Sequence, residues 1–193
     1  MSAKEHPSQG QPPGINGLTV LPAGAGERPL IEKLARFYVY DFSEMEPAGS
    51  DDMDFDSHGD LGPLPYLATY WTKAGRHPLL IRLGQKLVGF ALINSLSHQG
   101  GVVERNMGEF FVARKYRRRG VAAGAVRQIL AAFPGRWEVA VAERNHAAKA
   151  FWPRAISAAP NASGLLRIEG DGEHWRGPIW TFLANAGPPI GNT

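Results

Sequence analysis

Residues 112–130, VARKYRRRGVAAGAVRQIL, place five positive charges in the six positions 114–119 and then switch at once to small and apolar residues. The segment begins with the end of an apolar run, Phe110-Phe111-Val112, and its glycine, Gly120, stands where a helix would start. A strand, a tight basic turn and a helix in that order offer unpaired backbone N–H groups, together with the positive end of the helix dipole, to an anion. Gly120 lets the backbone approach that anion closely. Guanidinium groups at Arg117, Arg118 and Arg119 stay charged at any physiological pH and bind phosphate oxygens in forked geometry, so a di- or polyphosphate is the expected ligand. The turn fits neither G-x-x-x-x-G-K-S/T nor G-x-G-x-x-G, which removes the main support for nucleoside triphosphate chemistry.

The bulk properties limit what surrounds this unit. A chain of 193 residues, 44% hydrophobic and 20% charged, is long enough for one domain with a full core. No apolar run approaches the roughly 18 residues that span a bilayer, so no membrane association is expected. The start, MSAKEHPSQGQPPGING, lacks the basic, apolar and small-residue regions of a secretory signal, and a cytoplasmic location is the expectation. With no cysteine there is no disulfide, no thiolate metal site and no cysteine nucleophile. A net charge of +3 permits an anionic ligand without requiring nucleic acid.

Periodicity divides the chain into a polar, Pro- and Gly-rich arm (1–16), one domain (17–186) and a short tail (187–193). Leu18–Ala23 reads as a strand, and Pro29 opens a helix with Leu30, Ile31, Leu34, Phe37, Tyr38 and Phe42 at helical spacing. An acidic loop spans 44–60, and a second short helix is expected over LPYLATYWTKAG. Two apolar runs around Gly84-Gln85-Lys86 read as a hairpin. MGEFFV is a strand, GVAAGAVRQILAAF a helix stopped by Pro134-Gly135, WEVAVAER a strand, HAAKAFWPRAI a helix, and GLLRIEG and PIWTFLAN two last strands around Asp171-Gly172. The expected fold class is a mixed α/β domain of order β-α-α-β-β-β-α-β-α-β-β.

Arg117-Arg118-Arg119-Gly120-Val121-Ala122 resembles motif A of the GNAT superfamily of N-acetyltransferases, R/Q-x-x-G-x-G/A, with Phe111-Val112 ending the strand before it. NHAAKAFW resembles motif B, N-x-x-A-x-x-L/F-Y, with Asn145, Ala148 and Phe151 in place. The strand order agrees with the GNAT fold over about 17–186. The combination of EFFV, KYRRRGV, PGRWEV and FWPRAI also looks like a bacterial group of predicted acetyltransferases. The resemblance implies an acetyl-CoA-dependent enzyme whose backbone N–H groups from Arg118 to Ala122 hold the coenzyme diphosphate. The pantetheine arm would lie beside the Val112 end of a strand splayed from its neighbour. Phe111, Val112, Arg117, Arg119, Val121, Asn145, Ala148 and Phe151 would complete the cofactor site, and the Val112 backbone N–H would stabilise the developing oxyanion.

Transfer to an amine needs its neutral form, so a base is useful near neutral pH. Glu109 is the candidate, with Glu104 as fallback. Tyr116 reads as adenine wall or core filler. At Trp152 the family commonly has a tyrosine taken to protonate the departing thiolate, and an indole N–H has no such acidity. His146 is a substitute candidate, against the reading of a surface histidine at a helix start. Asp52, Asp54, Asp56, His58 and Asp60 alternate, yet Ser57 and Pro63 stand where a calcium loop needs Gly and Glu, so no metal is expected. The acidic loop would attract a cationic amine acceptor or be a solvated segment. Three functional readings follow: an N-acetyltransferase using acetyl-CoA and an amine, a catalytically weak acyl-CoA sensor, and a nucleic-acid contact at RKYRRRG, the last disfavoured by the acidic loop. A homodimer is compatible with the sequence.

Overall fold

The strand Lys86–Leu96 is buried on both faces from Val88 to Asn94 and forms the spine of the molecule. This computed structural model describes residues 15–47, 49–50 and 53–186; the expected arm apart from its last two residues, Asp52 and the tail lie outside them. Seven strands form one sheet: β1 (Leu18–Pro22), β2 (His77–Leu83), β3 (Lys86–Leu96), β4 (Val102–Val112), β5 (Gly135–Ala140), β6 (Ala162–Glu169) and β7 (Pro178–Ala184). Their spatial order is β1-β2-β3-β4-β5-β7-β6. Every neighbouring pair is antiparallel except β4 and β5, which are parallel. A parallel pair needs a crossover connection, and α2 (Val121–Ala132) supplies it.

Helix α1 (Arg28–Ser43) carries Pro29 in its first turn, where the missing N–H costs nothing, and buries Ile31 and Ala35. It covers one face of the sheet with Leu80, Phe90, Leu92 and Phe111. On the other face α2 and α3 (His146–Ser157) pack Val126, Ile129, Leu130, Trp152 and Ile156 against Trp137, Val139, Trp180 and Phe182. Among the described residues no helix is long and apolar enough to cross a membrane.

The expected second helix is only a five-residue 3-10 turn, Leu67–Trp71. Pro65 precedes it, and Tyr66 sits in the left-handed region at φ 60°, so the helical pattern cannot extend backwards. The β2–β3 hairpin turns on Gly84-Gln85, with Leu83 opposite Lys86. Strand β4 starts five residues earlier than MGEFFV suggested.

Two local features aim β4. Leu92 pairs with Glu109 but Ile93 with Met107, leaving Gly108 as an extra residue in a bulge. A Cβ at Gly108 would lie 2.5 Å from Asn94 Nδ2 and 2.8 Å from Tyr70 Oη, so only glycine fits beneath that pair. Strand β5, in turn, pairs with β4 only at Arg105–Trp137 and Asn106–Glu138. Beyond Asn106 the two parallel strands part.

Candidate active site

The parting of β4 from β5 leaves one edge of β4 unpaired. Ala113 N–H bonds to Val88 O at 2.9 Å, and Gly89 stands opposite Val112. In an antiparallel ladder the bonding direction alternates, so the backbone groups of Phe110 and Val112 point away from β3 into the gap. The Val112 carbonyl is met there by Arg117 Nε at 2.7 Å.

Two cavities meet at this gap. One, of about 810 Å³, is lined by Phe111, Val112, Arg117, Arg118, Gly120, Ala122, Asn145, His146, Ala148 and Phe151. The other, of about 540 Å³, is lined by Tyr38, Asp54, His98, Glu109, Val139 to Ala142 and Trp175. Tyr38, Phe42, Phe110, Asn145, Ala148 and Trp152 border both.

The floor of the larger cavity is the start of α2. Gly120 caps the helix at φ 79°, no side chain caps it, and its first intrahelical bond runs from Gly124 N–H to Gly120 O at 2.8 Å. The N–H groups of the first turn therefore have no intrahelical partner. Arg118 precedes them at φ 56°, a left-handed conformation that costs a non-glycine residue on the order of 1 kcal/mol. Asn145 caps α3, its Oδ1 accepting Ala148 N–H at 2.9 Å, worth about 1 kcal/mol to the helix.

In the smaller cavity Glu109 projects from the bulge toward α1, where Tyr38 donates a short hydrogen bond to its Oε2. Burial pushes the Glu109 carboxyl from 4.5 up to about 7, against the Tyr38 hydrogen bond and the charge that His98 carries when protonated, which both pull it down. Burial and the adjacent Glu109 carboxylate hold the Tyr38 phenol well above 10.

A family model for the acetyltransferase (GNAT) family matches residues 39–156. The chain belongs to the GNAT family. No curated protein matches it. Among solved structures, it is similar to an acetyltransferase from Thermus thermophilus at 19% identity, TM-score 0.61, over 89% of this chain and 99% of that one. A GNAT-family acetyltransferase from Staphylococcus aureus follows at 12% and 0.55, over 85% and 97%. A spermidine N-acetyltransferase from Vibrio cholerae, solved with CoA and spermine, stands at 14% and 0.50, over 87% and 95%. At these identities the structural likeness concerns the fold. As a GNAT N-acetyltransferase the chain takes its acetyl group from acetyl-CoA.

An uncapped helix start with a left-handed glycine fits a diphosphate, and a free strand edge fits an extended pantetheine arm. Arg119 and Val121 do not line the larger cavity: Arg119 is exposed, and Val121 is buried against Ile81 and Val88. Arg117 lines it, but its guanidinium is bound to the Val112 carbonyl and Asp41 of α1, and lies over the Phe111 ring at 5.7 Å. Arg114 pairs with the same Asp41 at 2.8 Å. Part of the basic cluster thus fastens α1 to the turn, leaving Arg118 as the cavity-lining arginine with no ion pair among the described residues. His146 is exposed at the first turn of α3, on the larger cavity rather than beside Glu109. Glu104 lies where β4 and β5 are still paired and accepts Arg136 N–H at 2.7 Å. Tyr116 packs against Val112 and Val121.

Trp152 is 5% exposed, with Phe110 edge-on at 5.3 Å, and forms an apolar wall between the cavities. Three residues absent from the sequence reading complete the site: Asp41, His98 and Glu138. Asp41 and His98 lie far in sequence from the motifs, and Glu138 sits inside PGRWEV with nothing local to mark it as buried.

Proposed function

We propose that the chain transfers the acetyl group of acetyl-CoA to a small primary amine, cationic in solution, by direct attack while both are bound. The observation that carries this reading is the Glu109 carboxyl on the wall of the smaller cavity, next in sequence to Phe110, which borders both cavities; burial pushes its pKa up to about 7. Acetyl-CoA supplies the thioester whose acyl carbon bonds to the amine nitrogen as the carbon–sulfur bond breaks. Glu109 takes the proton that the amine must lose, and a carboxyl titrating near neutrality suits that task better than an ordinary glutamate. The N–H groups of Phe110 and Val112 face the gap, where negative charge develops on the acyl oxygen. Phe110 and Trp152 line that point with apolar rings. A thiol of ordinary pKa, about 8.5, leaves as thiolate without a proton donor, so an indole at position 152 is compatible with turnover. The start of α2 and Arg118 would hold the diphosphate, and Asp54 with the acidic loop would draw a cationic acceptor toward the smaller cavity.

The apolar wall at Trp152 also supports a second reading, an acyl-CoA sensor with little turnover. Thermal shift with acetyl-CoA, followed by thiol release over polyamines, aminoglycosides, amino acids and peptide N-termini, separates the two. Stabilisation with amine-dependent thiol release is expected. Stabilisation without release from any amine would favour the sensor, and no stabilisation would remove both.

A further inference from the structure

The last residue of β5 paired with β4, Glu138, has a side chain only 1% exposed and has no part in the transfer described above. Four groups from the β3–β4 loop converge on its carboxylate: His98 N–H at 2.6 Å, Ser97 Oγ at 2.7 Å, Gln99 Nε2 at 3.3 Å and His98 Nδ1 at 3.1 Å. Burial pushes the Glu138 carboxyl up, but the hydrogen bonds from His98, Ser97 and Gln99 outweigh it and leave a carboxylate below its ordinary value. A carboxylate only accepts, so the proton of a neutral His98 ring sits on Nδ1 and the lone pair on Nε2. The ring is 24% exposed, stands edge-on to Trp175 at 4.5 Å and lines the same cavity as Glu109. A buried carboxylate thus fixes the tautomer and the angle of a histidine on the wall of the acceptor cavity. The rest of that wall is largely apolar, with Phe42, Val141, Trp152 and Trp175.

We propose that His98 is a specificity-determining residue whose Nε2 accepts a hydrogen bond from a hydroxyl or amide N–H carried by the acceptor. The acceptor class is then an amine with an apolar body and a second donor group. This rests on the smaller cavity being the acceptor site, as proposed above. Glu138 is a positioning residue that acts through His98.

The test uses the full chain with CoA, ring-¹⁵N histidine labelling and two matched amine pairs, tyramine with phenethylamine and 3-aminopropanol with butylamine. In at least one pair the hydroxylated member binds about tenfold tighter, the worth of one neutral hydrogen bond. It also shifts the His98 Nε2 resonance, assigned by its loss in His98→Phe. His98→Phe binds both members of that pair equally, and Glu138→Gln reduces the preference while keeping the ring. Equal affinities within both pairs, a preference that survives His98→Phe, or no shift at His98 would overturn the proposal. So would a His98→Phe enzyme whose pH–rate profile moves while its acceptor KM does not, since His98 would then be a base. Amines that bind with this preference but are not acetylated would overturn the transfer reading and leave His98 as the selector.

Discussion

The two halves of the cleft are built on different principles. The half proposed for the coenzyme is local: a strand end, a left-handed glycine and a helix start lie within about a dozen consecutive residues, and what they offer is mostly backbone. The half proposed for the acceptor is assembled from Tyr38, Asp54, His98, Glu109, Glu138 and Trp175, six separate places in the chain, and what they offer is side chains. Backbone donors at a helix start suit a ligand part common to every reaction the fold performs. Side chains drawn from separate elements can change one by one, and that is where selectivity for an acceptor can reside.

That contrast breaks most sharply at Glu109. Glu109→Gln is expected to lower kcat by about 10² to 10⁴, the usual contribution of a positioned base, while acetyl-CoA affinity measured by calorimetry stays within about twofold. In the wild type kcat/KM rises with pH through about 7 as the carboxyl ionises, and this limb is lost in the variant. Stability follows the opposite course. Folding raises this pKa, so its contribution is complete below about pH 4.5 and is lost as the pH climbs through about 7; Glu109→Gln removes that loss, readable in denaturant midpoints. An unaltered pH–rate profile would take Glu109 out of the reaction.

The reciprocal change lies in the other half. Gly120→Asp forces a side chain into φ 79°, brings a Cβ to 3.1 Å of Ile15 and adds negative charge at the helix start. Acetyl-CoA affinity should fall more than tenfold by calorimetry, with the Glu109 limb of the pH profile unmoved at saturating acetyl-CoA. Unchanged affinity would show that the diphosphate binds elsewhere.

A smaller effect sharpens the boundary. Tyr38→Phe deletes a hydrogen bond that holds the Glu109 pKa down, so the rising limb of the pH–rate profile moves upward while maximal turnover changes by less than about tenfold. The smallest effect is expected for Trp152→Tyr. It trades a buried indole for a smaller ring beside Phe110 and Phe151, at a stability cost of roughly 1–2 kcal/mol, with kcat within about threefold. A large rise in kcat would mean that thiolate departure limits the natural enzyme.

The same division explains what could be read from the chain. Gly120 announced the turn because only a residue tolerant of positive φ closes it, and Asn145 announced α3 because its cap is local. The β3 run was legible as an unbroken apolar stretch bounded by turn residues, which is how a strand buried on both faces reads. The helix expected over LPYLATYWTKAG was lost to Pro65 and the left-handed Tyr66, which outweigh the apolar spacing. Arg117 looked like a phosphate ligand because composition cannot reveal that Asp41, 76 residues away, binds it. Glu138 lay unnoticed inside a strand, since nothing local distinguishes a buried acceptor of four hydrogen bonds from an ordinary solvent-facing glutamate.

The most direct measurement is a diffraction structure of the full chain with CoA. The account predicts the diphosphate at the N–H groups that open α2, beside Arg118, and the thiol in the gap between Phe110–Val112 and Val139–Val141, facing Glu109. A diphosphate bound away from that helix start, or a thiol outside the gap with β4 and β5 closed over it, would contradict it.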